Sequence, residues 1–249
     1  MITQAFILAA GLGTRMRPIT DKIPKPMVEL NGKSIIIRII DDLIEYGIKH
    51  IVINSFYKKE LLQQHIHDYI SKIQHPPKVE VIEETPLLET GGGVVNALDY
   101  LDHNKPFFVI NSDSVFLGDN VFASLNSAWK DSMRALFLLT ELTNASGYDG
   151  KGDFNLDSNL MLKTPENLAN VYAYAGIHIT TPKNFENTAK EPIKLMKIYD
   201  RFKIGPTYQG FHGFLYTGTW FHVGTPEAVK ITEEYLTAQQ LGSCQKASD

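Results

Sequence analysis

The chain has 249 residues, of which 43% are hydrophobic and 21% charged, and its formal net charge at pH 7 is −4. This is the composition of a globular protein with enough apolar material for a sizeable core. No run of about 18 apolar residues is present to cross a membrane, and the mild acidity speaks against nucleic-acid binding driven by a global field. The N-terminus, MITQAFILAAGLG, lacks the basic leader of a secretory signal, and Cys244 has no second cysteine to pair with. A reducing, cytoplasmic setting is expected, with neither membrane nor nucleic acid as partner.

In chain order, short apolar runs recur at Ala5–Ala10, Ile51–Asn54, Val79–Ile82, Phe107–Ile110 and Ala135–Thr140. Their length and their Ile, Val, Phe and Leu content read as strands buried on both faces. Between them lie amphipathic stretches, Ser34–Tyr46, Lys58–Lys72, Gly92–Leu101 and Asn120–Lys130, which read as helices. Gly47 suits the end of the first of these. The alternation predicts an α/β fold, with βαβ crossovers, a mainly parallel sheet and helices on both faces.

After Thr140 the rhythm changes. Asn144–Asp153 reads as a loop, Asp153–Thr164 as a hairpin around Asp157–Asn159, and Val171–Thr180 as a strand. Pro192–Phe202 reads as a helix, Phe214–Val223 as strand-like, and Pro226–Thr237 as the last helix. One domain over residues 1–239, irregular towards its end, with a polar and frayed tail over 240–249, is the expected organisation.

The segment FILAAGLGTRMRPITDKIPKPM, Phe6 to Met27, carries the clearest chemistry. A buried strand ends in small residues and two glycines, Gly11 and Gly13, where a ligand can approach the backbone. Successive N–H groups in such a turn form a nest for phosphate oxygens. Arg15, Arg17 and a Lys25 held between Pro24 and Pro26 add cations beside it. Position 16 is Met, so the dinucleotide pattern G-x-G-x-x-G is broken, and the P-loop G-K-[ST] is absent.

The string G-x-G-T-R-x-R-P-x-T-x-x-x-P-K-P resembles the signature of sugar-1-phosphate nucleotidyltransferases. Asn111-Ser112-Asp113, after the fourth strand, looks like that family's N-G-D. Leu88-Glu89-Thr90-Gly91-Gly92-Gly93, Gly152-Asp153-Phe154, Gly176-Ile177-His178-Ile179 and Gly218 to Glu227 narrow the resemblance to N-acetylmuramate-1-phosphate uridylyltransferases. The larger relatives carry a C-terminal β-helix for which the chain has no length, and a short single-domain member is expected.

The resemblance implies a Rossmann-like, glycosyltransferase-A-like fold. It implies transfer of a nucleotidyl group from UTP or GTP to a sugar 1-phosphate, with Mg²⁺ as cofactor. Arg15 and Lys25 are the implied catalytic cations. Ala10, Gly11, Gly13, Thr14, Glu89, Gly91, Gly92 and Asn111 join them in holding the nucleotide. Asp113 is the implied metal ligand, although an aspartate there can also cap the next helix. Asp153, Gly176 and Lys194 fall on the sugar-phosphate side, where Lys194 either pairs with the phosphate or is an ordinary surface lysine. The family's second metal ligand is an aspartate in W-x-D-x-G-T; here that position is His222. Imidazole is a poor Mg²⁺ ligand. His222 therefore either ligates as a neutral ring, acts through water, touches phosphate or packs beside Trp220. Rival readings are a guanylyltransferase acting on mannose or heptose 1-phosphate, a cytidylyltransferase acting on a phospho-alcohol, and an inactive sugar-nucleotide sensor. Oligomeric state is not legible.

Overall fold

The computed structural model describes residues 1–165 and 169–246, with side chains to residue 239. The elements in chain order begin with β1 (Gln4–Leu8), β2 (Glu29–Leu30), β3 (Lys33–Ser34), α1 (Ile35–Tyr46), β4 (His50–Ser55) and α2 (Lys59–Ile70). Next come β5 (Lys78–Glu83), α3 (Glu89–Ala97), β6 (Phe107–Asn111), β7 (Ser114–Leu117), α4 (Val121–Ala128) and β8 (Ala135–Glu141). The second half holds β9 (Ala145–Ser146), β10 (Asn155–Leu156), β11 (Met161–Lys163), β12 (Tyr172–Thr180) and α5 (Leu195–Tyr199). The last are β13 (Lys203–Ile204), β14 (Thr207–Leu215), β15 (Thr219–His222) and α6 (Pro226–Lys246). Of the expected tail, 247–249 lie outside the described residues.

Among the described residues the main sheet has the order β10-β11-β14-β8-β12-β6-β1-β4-β5, with β13 paired to β14. β5, β4, β1 and β6 are mutually parallel, and β8 and β14 are parallel to each other. β12 runs antiparallel between β6 and β8, so β8 points the same way as β6. Most of its strands share one direction, as the alternating pattern predicts, with β12 reversed at the centre and β11 and β13 reversed beside β14.

Both faces are covered. Ala5 and Ile7 of β1 and Phe108 and Ile110 of β6 pack with Ile36, Ile40 and Leu43 of α1 on one side. Phe6, Phe107 and Val109 pack with Val94 of α3 and Ile198 of α5 on the other. Strict alternation along a strand sends neighbouring residues to opposite layers, and here each layer is apolar. α1 stops where expected: Gly47 has φ 95°, and its N–H reaches the carbonyls of Leu43 and Ile44.

Three local expectations change. α3 starts at Glu89 and not at Gly92, so the glycines lie inside the helix. The helix expected over Pro192–Phe202 is a short α5 followed by a 3-10 turn, Asp200–Phe202. Phe214–Val223 is two strands. β14 ends in the main sheet beside β8, and β15 pairs instead with β7 and β9 in a small second sheet. The break falls where Tyr216 donates its hydroxyl to the carbonyl of Leu117, and a side chain at Gly218 would lie 2.5 Å from that same oxygen.

Candidate active site

The site lies beyond the carboxyl ends of β1, β4, β5 and β6, where α/β sheets place ligands. Gly13 has φ 62°, a conformation that favours glycine, and a Cβ there would lie 2.9 Å from Thr20 Cγ2 and 3.0 Å from Lys25 Cβ. Its carbonyl accepts from Met16 N–H and from the Thr20 hydroxyl, which closes the turn. Thr14 opens the 3-10 turn that carries the exposed Arg15. Among the described residues, no protein acceptor takes the N–H groups of Gly11 to Thr14. These donors, with open space above Gly11, are available to an oxyanion.

Ala9 and Ala10 are different, because their N–H groups are already used. Both donate to Asn54 Oδ1, at 2.6 and 3.3 Å. Asn54 Nδ2 in turn donates to Glu84 Oε1 at 2.6 Å, and Glu84 Oε2 accepts from Leu88 N–H at 2.8 Å. Glu84 is 1% exposed. Burial pushes its carboxyl up, and the bonds from Leu88 and Asn54 counter that only in part.

Lys25 and Asp113, 88 positions apart, meet at 2.7 Å. Burial raises the carboxyl of Asp113, but the Lys25 charge and the contact with His222 outweigh it, leaving the group well below the ordinary carboxylate range. His222 Nε2 lies 3.4 Å from the same Asp113 oxygen. The small sheet brings it there: His222 is opposite Ser114 in the β15–β7 ladder, and Val223 N–H donates to the Asp113 carbonyl. The His222 ring packs against Trp220 and Tyr148, and its buried Nδ1 has no partner among the described residues. A Cβ at Gly224 would lie 2.9 Å from His222 Cε1 and 3.3 Å from Arg15 Nη2. Arg15 therefore reaches across the mouth of the site to the turn beside His222.

Lys25 and Asp113 line a chamber of about 280 Å³ together with Ala10, Gly11, Glu89 and Asn111, while Gly13, Thr14, Arg15 and His222 lie outside its lining. A second chamber of about 570 Å³ shares Leu8, Glu89, Thr90 and Asn111 with it, so the two are continuous. Phe137, Phe154, Tyr174 and Tyr208 give the second an aromatic lining, and Asp153 and Lys194 stand at it. Asp153 Oδ2 accepts from the Tyr148 hydroxyl and from Tyr174 N–H, while Oδ1 takes no donor among the described residues.

Glu89, at the junction of the chambers, has φ 57°, an uncommon conformation for a residue with a side chain. Gly91 and Gly92 do not line either chamber. Their N–H groups donate to the Ile193 carbonyl, and a Cβ on Gly92 would lie 2.2 Å from the Glu191 carbonyl oxygen. They are small so that α3 can pack against the segment before α5. Gly176, φ 83°, likewise lets β12 pass close to Asn111 and Ser114. Asn54, Glu84 and Tyr174 are site residues that the sequence pattern does not single out.

The donors Asp113 and His222 do not make a closed metal site. Among the described residues no group of three or more His, Cys, Asp or Glu converges to hold an ion. A carboxylate and an imidazole suit a divalent cation only if phosphate oxygens and water complete its shell, which is the usual arrangement for Mg²⁺.

A Rossmann-like sheet, a glycine loop with free N–H donors and a half-buried lysine–aspartate pair define a nucleotide-handling enzyme of the phosphoryl-transfer type. Residues 4–239 match the nucleotidyl transferase family model, and the chain belongs to that family. The N-acetylmuramate alpha-1-phosphate uridylyltransferase of Caulobacter vibrioides is 32% identical over 93% of this chain and 96% of its own. The mannose-1-phosphate guanylyltransferase catalytic subunit beta of Dictyostelium discoideum is 30% identical over 90% of this chain, which spans 62% of that protein. HddC from Yersinia pseudotuberculosis, solved with GMP-PN, has the same fold, with a TM-score of 0.75 at 24% identity over 94% of this chain and all of its own.

Proposed function

We propose that the protein transfers a uridylyl group from UTP to N-acetylmuramate 1-phosphate, releasing pyrophosphate. The observation that carries this reading is the pair of continuous chambers, one beside the glycine loop with Lys25 and Asp113 in its wall and one aromatic. The triphosphate belongs in the first and the sugar in the second. An oxygen of the sugar phosphate forms the new bond to the α-phosphorus as the bond to the bridging oxygen breaks, and pyrophosphate leaves with that electron pair. No enzyme nucleophile is needed, because the attacking phosphate is already ionised.

The free N–H groups of Gly11 to Thr14 receive phosphate oxygens, and Arg15 stabilises charge that grows on the leaving group. Lys25 holds the attacking phosphate and the α-phosphate together while keeping Asp113 ionised. Asp113, with His222 beside it, would hold Mg²⁺, which when bound neutralises phosphate charge and orients the two anions. Asp153 Oδ1 accepts from sugar hydroxyl or acetamide N–H groups, and Lys194 pairs with the lactyl carboxylate or the phosphate. The apolar lining of the larger chamber suits a sugar bearing acetamido and lactyl methyl groups better than an unsubstituted hexose.

A second reading, guanylyl transfer to mannose 1-phosphate, is favoured by the Dictyostelium relative. Pyrophosphate release measured with each of the four triphosphates, Mg²⁺ and a panel of sugar 1-phosphates tests both. The highest kcat/KM is expected with UTP and N-acetylmuramate 1-phosphate; a preference for GTP with mannose 1-phosphate selects the second reading.

A further inference from the structure

Behind the larger chamber lies a buried polar chain whose inner members touch no ligand position. Tyr174, half-buried, lines the chamber. Its hydroxyl lies 2.7 Å from His178 Nδ1, and His178 Nε2 lies 3.0 Å from the Tyr199 hydroxyl. Tyr199 donates to Thr180 Oγ1 at 3.1 Å, and Thr180 Oγ1 also accepts from Asn184 Nδ2 at 3.0 Å. His178 is 0% exposed, stacked on Phe137 at 4.5 Å with 16° between the rings.

The direction of the chain follows from its far end. Tyr199 gives its proton to Thr180, so its oxygen accepts from His178 Nε2–H. A neutral imidazole protonated at Nε2 has a bare Nδ1, and that atom accepts the Tyr174 proton. In a regular strand, residues four apart are about 13 Å apart, too far for this bond. Here the four steps along β12 from Tyr174 to His178 span only two steps along β8, from Leu139 to Phe137. The irregularity at Gly176 folds the strand so that Tyr174 reaches back onto His178. The Tyr174 backbone is held as well, through its N–H to Asp153.

We propose that His178 is a positioning residue for the sugar side of the cleft: by accepting the Tyr174 hydroxyl it locks the Tyr174 ring as the wall on which the sugar's apolar face packs. The ring has two free torsions, and a single hydroxyl bond from the protein interior removes that freedom before the sugar arrives. The inference rests on assigning the larger chamber to the sugar.

The test uses Tyr174→Phe, His178→Phe, His178→Gln and the Tyr174→Phe/His178→Phe double variant. Tyr174→Phe removes one oxygen and keeps the ring, so it stays informative if a histidine variant fails to fold. Tyr174→Phe and His178→Phe are each expected to raise KM for the sugar 1-phosphate about five- to tenfold, with KM for the triphosphate unchanged. The double variant is expected to match the worse single one, since both act through one bond. His178→Gln, which retains an acceptor oxygen, is expected to recover part of the loss. Unchanged sugar KM in Tyr174→Phe, an equal rise in both KM values, or additive losses would overturn the proposal.

A measurement without substrate separates this inference from the assigned activity. Long-range ¹H–¹⁵N spectra of the free protein are expected to show His178 as the neutral Nε2–H tautomer, with its Nδ1 resonance shifting in Tyr174→Phe. An Nδ1–H tautomer, or an Nδ1 resonance indifferent to that variant, would overturn the positioning role even in an active enzyme. Absence of turnover with every sugar 1-phosphate, alongside the expected spectra, would instead fault the activity and the sugar assignment, and with them the role proposed for His178.

Discussion

Asn54 donates to Glu84 across 2.6 Å and accepts from Ala9 and Ala10, so one side chain joins the glycine loop to the wall before α3. Asn54→Ala leaves two backbone donors and a carboxylate oxygen unpaired in a buried position. The variant is expected to lose about 2–4 kcal/mol of stability and to bind the triphosphate more weakly. Urea denaturation and calorimetric titration with UTP check this. Unchanged UTP affinity in a folded variant would show that the loop holds its shape without Asn54.

Arg15 is exposed and Lys25 is not, and their alanine variants should separate accordingly. Arg15→Ala is expected to leave the melting temperature close to wild type while kcat falls about 30- to 1000-fold, the effect of ~2–4 kcal/mol in the transition state. Lys25→Ala should lower both, since it also strips Asp113 of its cation. Lys25→Arg should not restore the rate, because a planar fork does not replace a point charge. Asp113 sits below its unfolded pKa, so the pair's stability is present at neutral pH and lost as pH falls below about 4. An Arg15→Ala enzyme with wild-type kcat would remove Arg15 from the chemistry.

What the sequence made legible follows from what is local. The glycine loop, the Asp157–Asn159 hairpin and an aspartate just after β6 are set by neighbours along the chain. The Lys25–Asp113 and Asn54–Glu84 contacts are not, because they depend on strand order. Asn54 and Glu84 carry a faint signal in being polar residues that close apolar strands on the site side of the sheet. Gly91 and Gly92 show the opposite case. The resemblance implies that they hold the nucleotide, whereas their N–H groups serve Ile193 inside the fold. The reversed insertion of β12 between β6 and β8 was hidden for another reason: a strand buried on both faces carries the same residues in either direction.

His222 stands 3.4 Å from Asp113 where the resemblance implies a carboxylate. With one carboxylate and one imidazole, Mg²⁺ should bind more weakly than at two carboxylates, and Mn²⁺ should support activity relatively better. His222→Asp is expected to lower the Mg²⁺ concentration for half-maximal activity, and His222→Ala to cost less than Asp113→Ala, since phosphate oxygens and water can fill the vacancy. Identical Mg²⁺ half-saturation in wild type, His222→Asp and His222→Ala would exclude His222 from the metal.

His178 also predicts how stability depends on pH. Burial lowers its pKa to about 3, and the titratable groups that touch it, Tyr174 and Tyr199, are neutral in the acid range. In the unfolded chain the same ring titrates near 6.5. Below that pH the unfolded state binds a proton that the folded state refuses, so acid favours unfolding. The contribution is fully present above pH 6.5 and falls by up to about 1.4 kcal/mol per pH unit towards pH 3. His178→Phe removes the titrating group but leaves the Tyr174 hydroxyl unpaired, so it should be less stable at pH 7 and less sensitive to acid. Urea denaturation of both proteins at several pH values between 7 and 4 gives the two slopes, with every other titrating group held in common. The wild-type slope is expected to be steeper by close to the value for one proton. Parallel slopes would mean that the folded protein admits a charged His178, and the buried neutral acceptor on which Tyr174 depends would be lost with it.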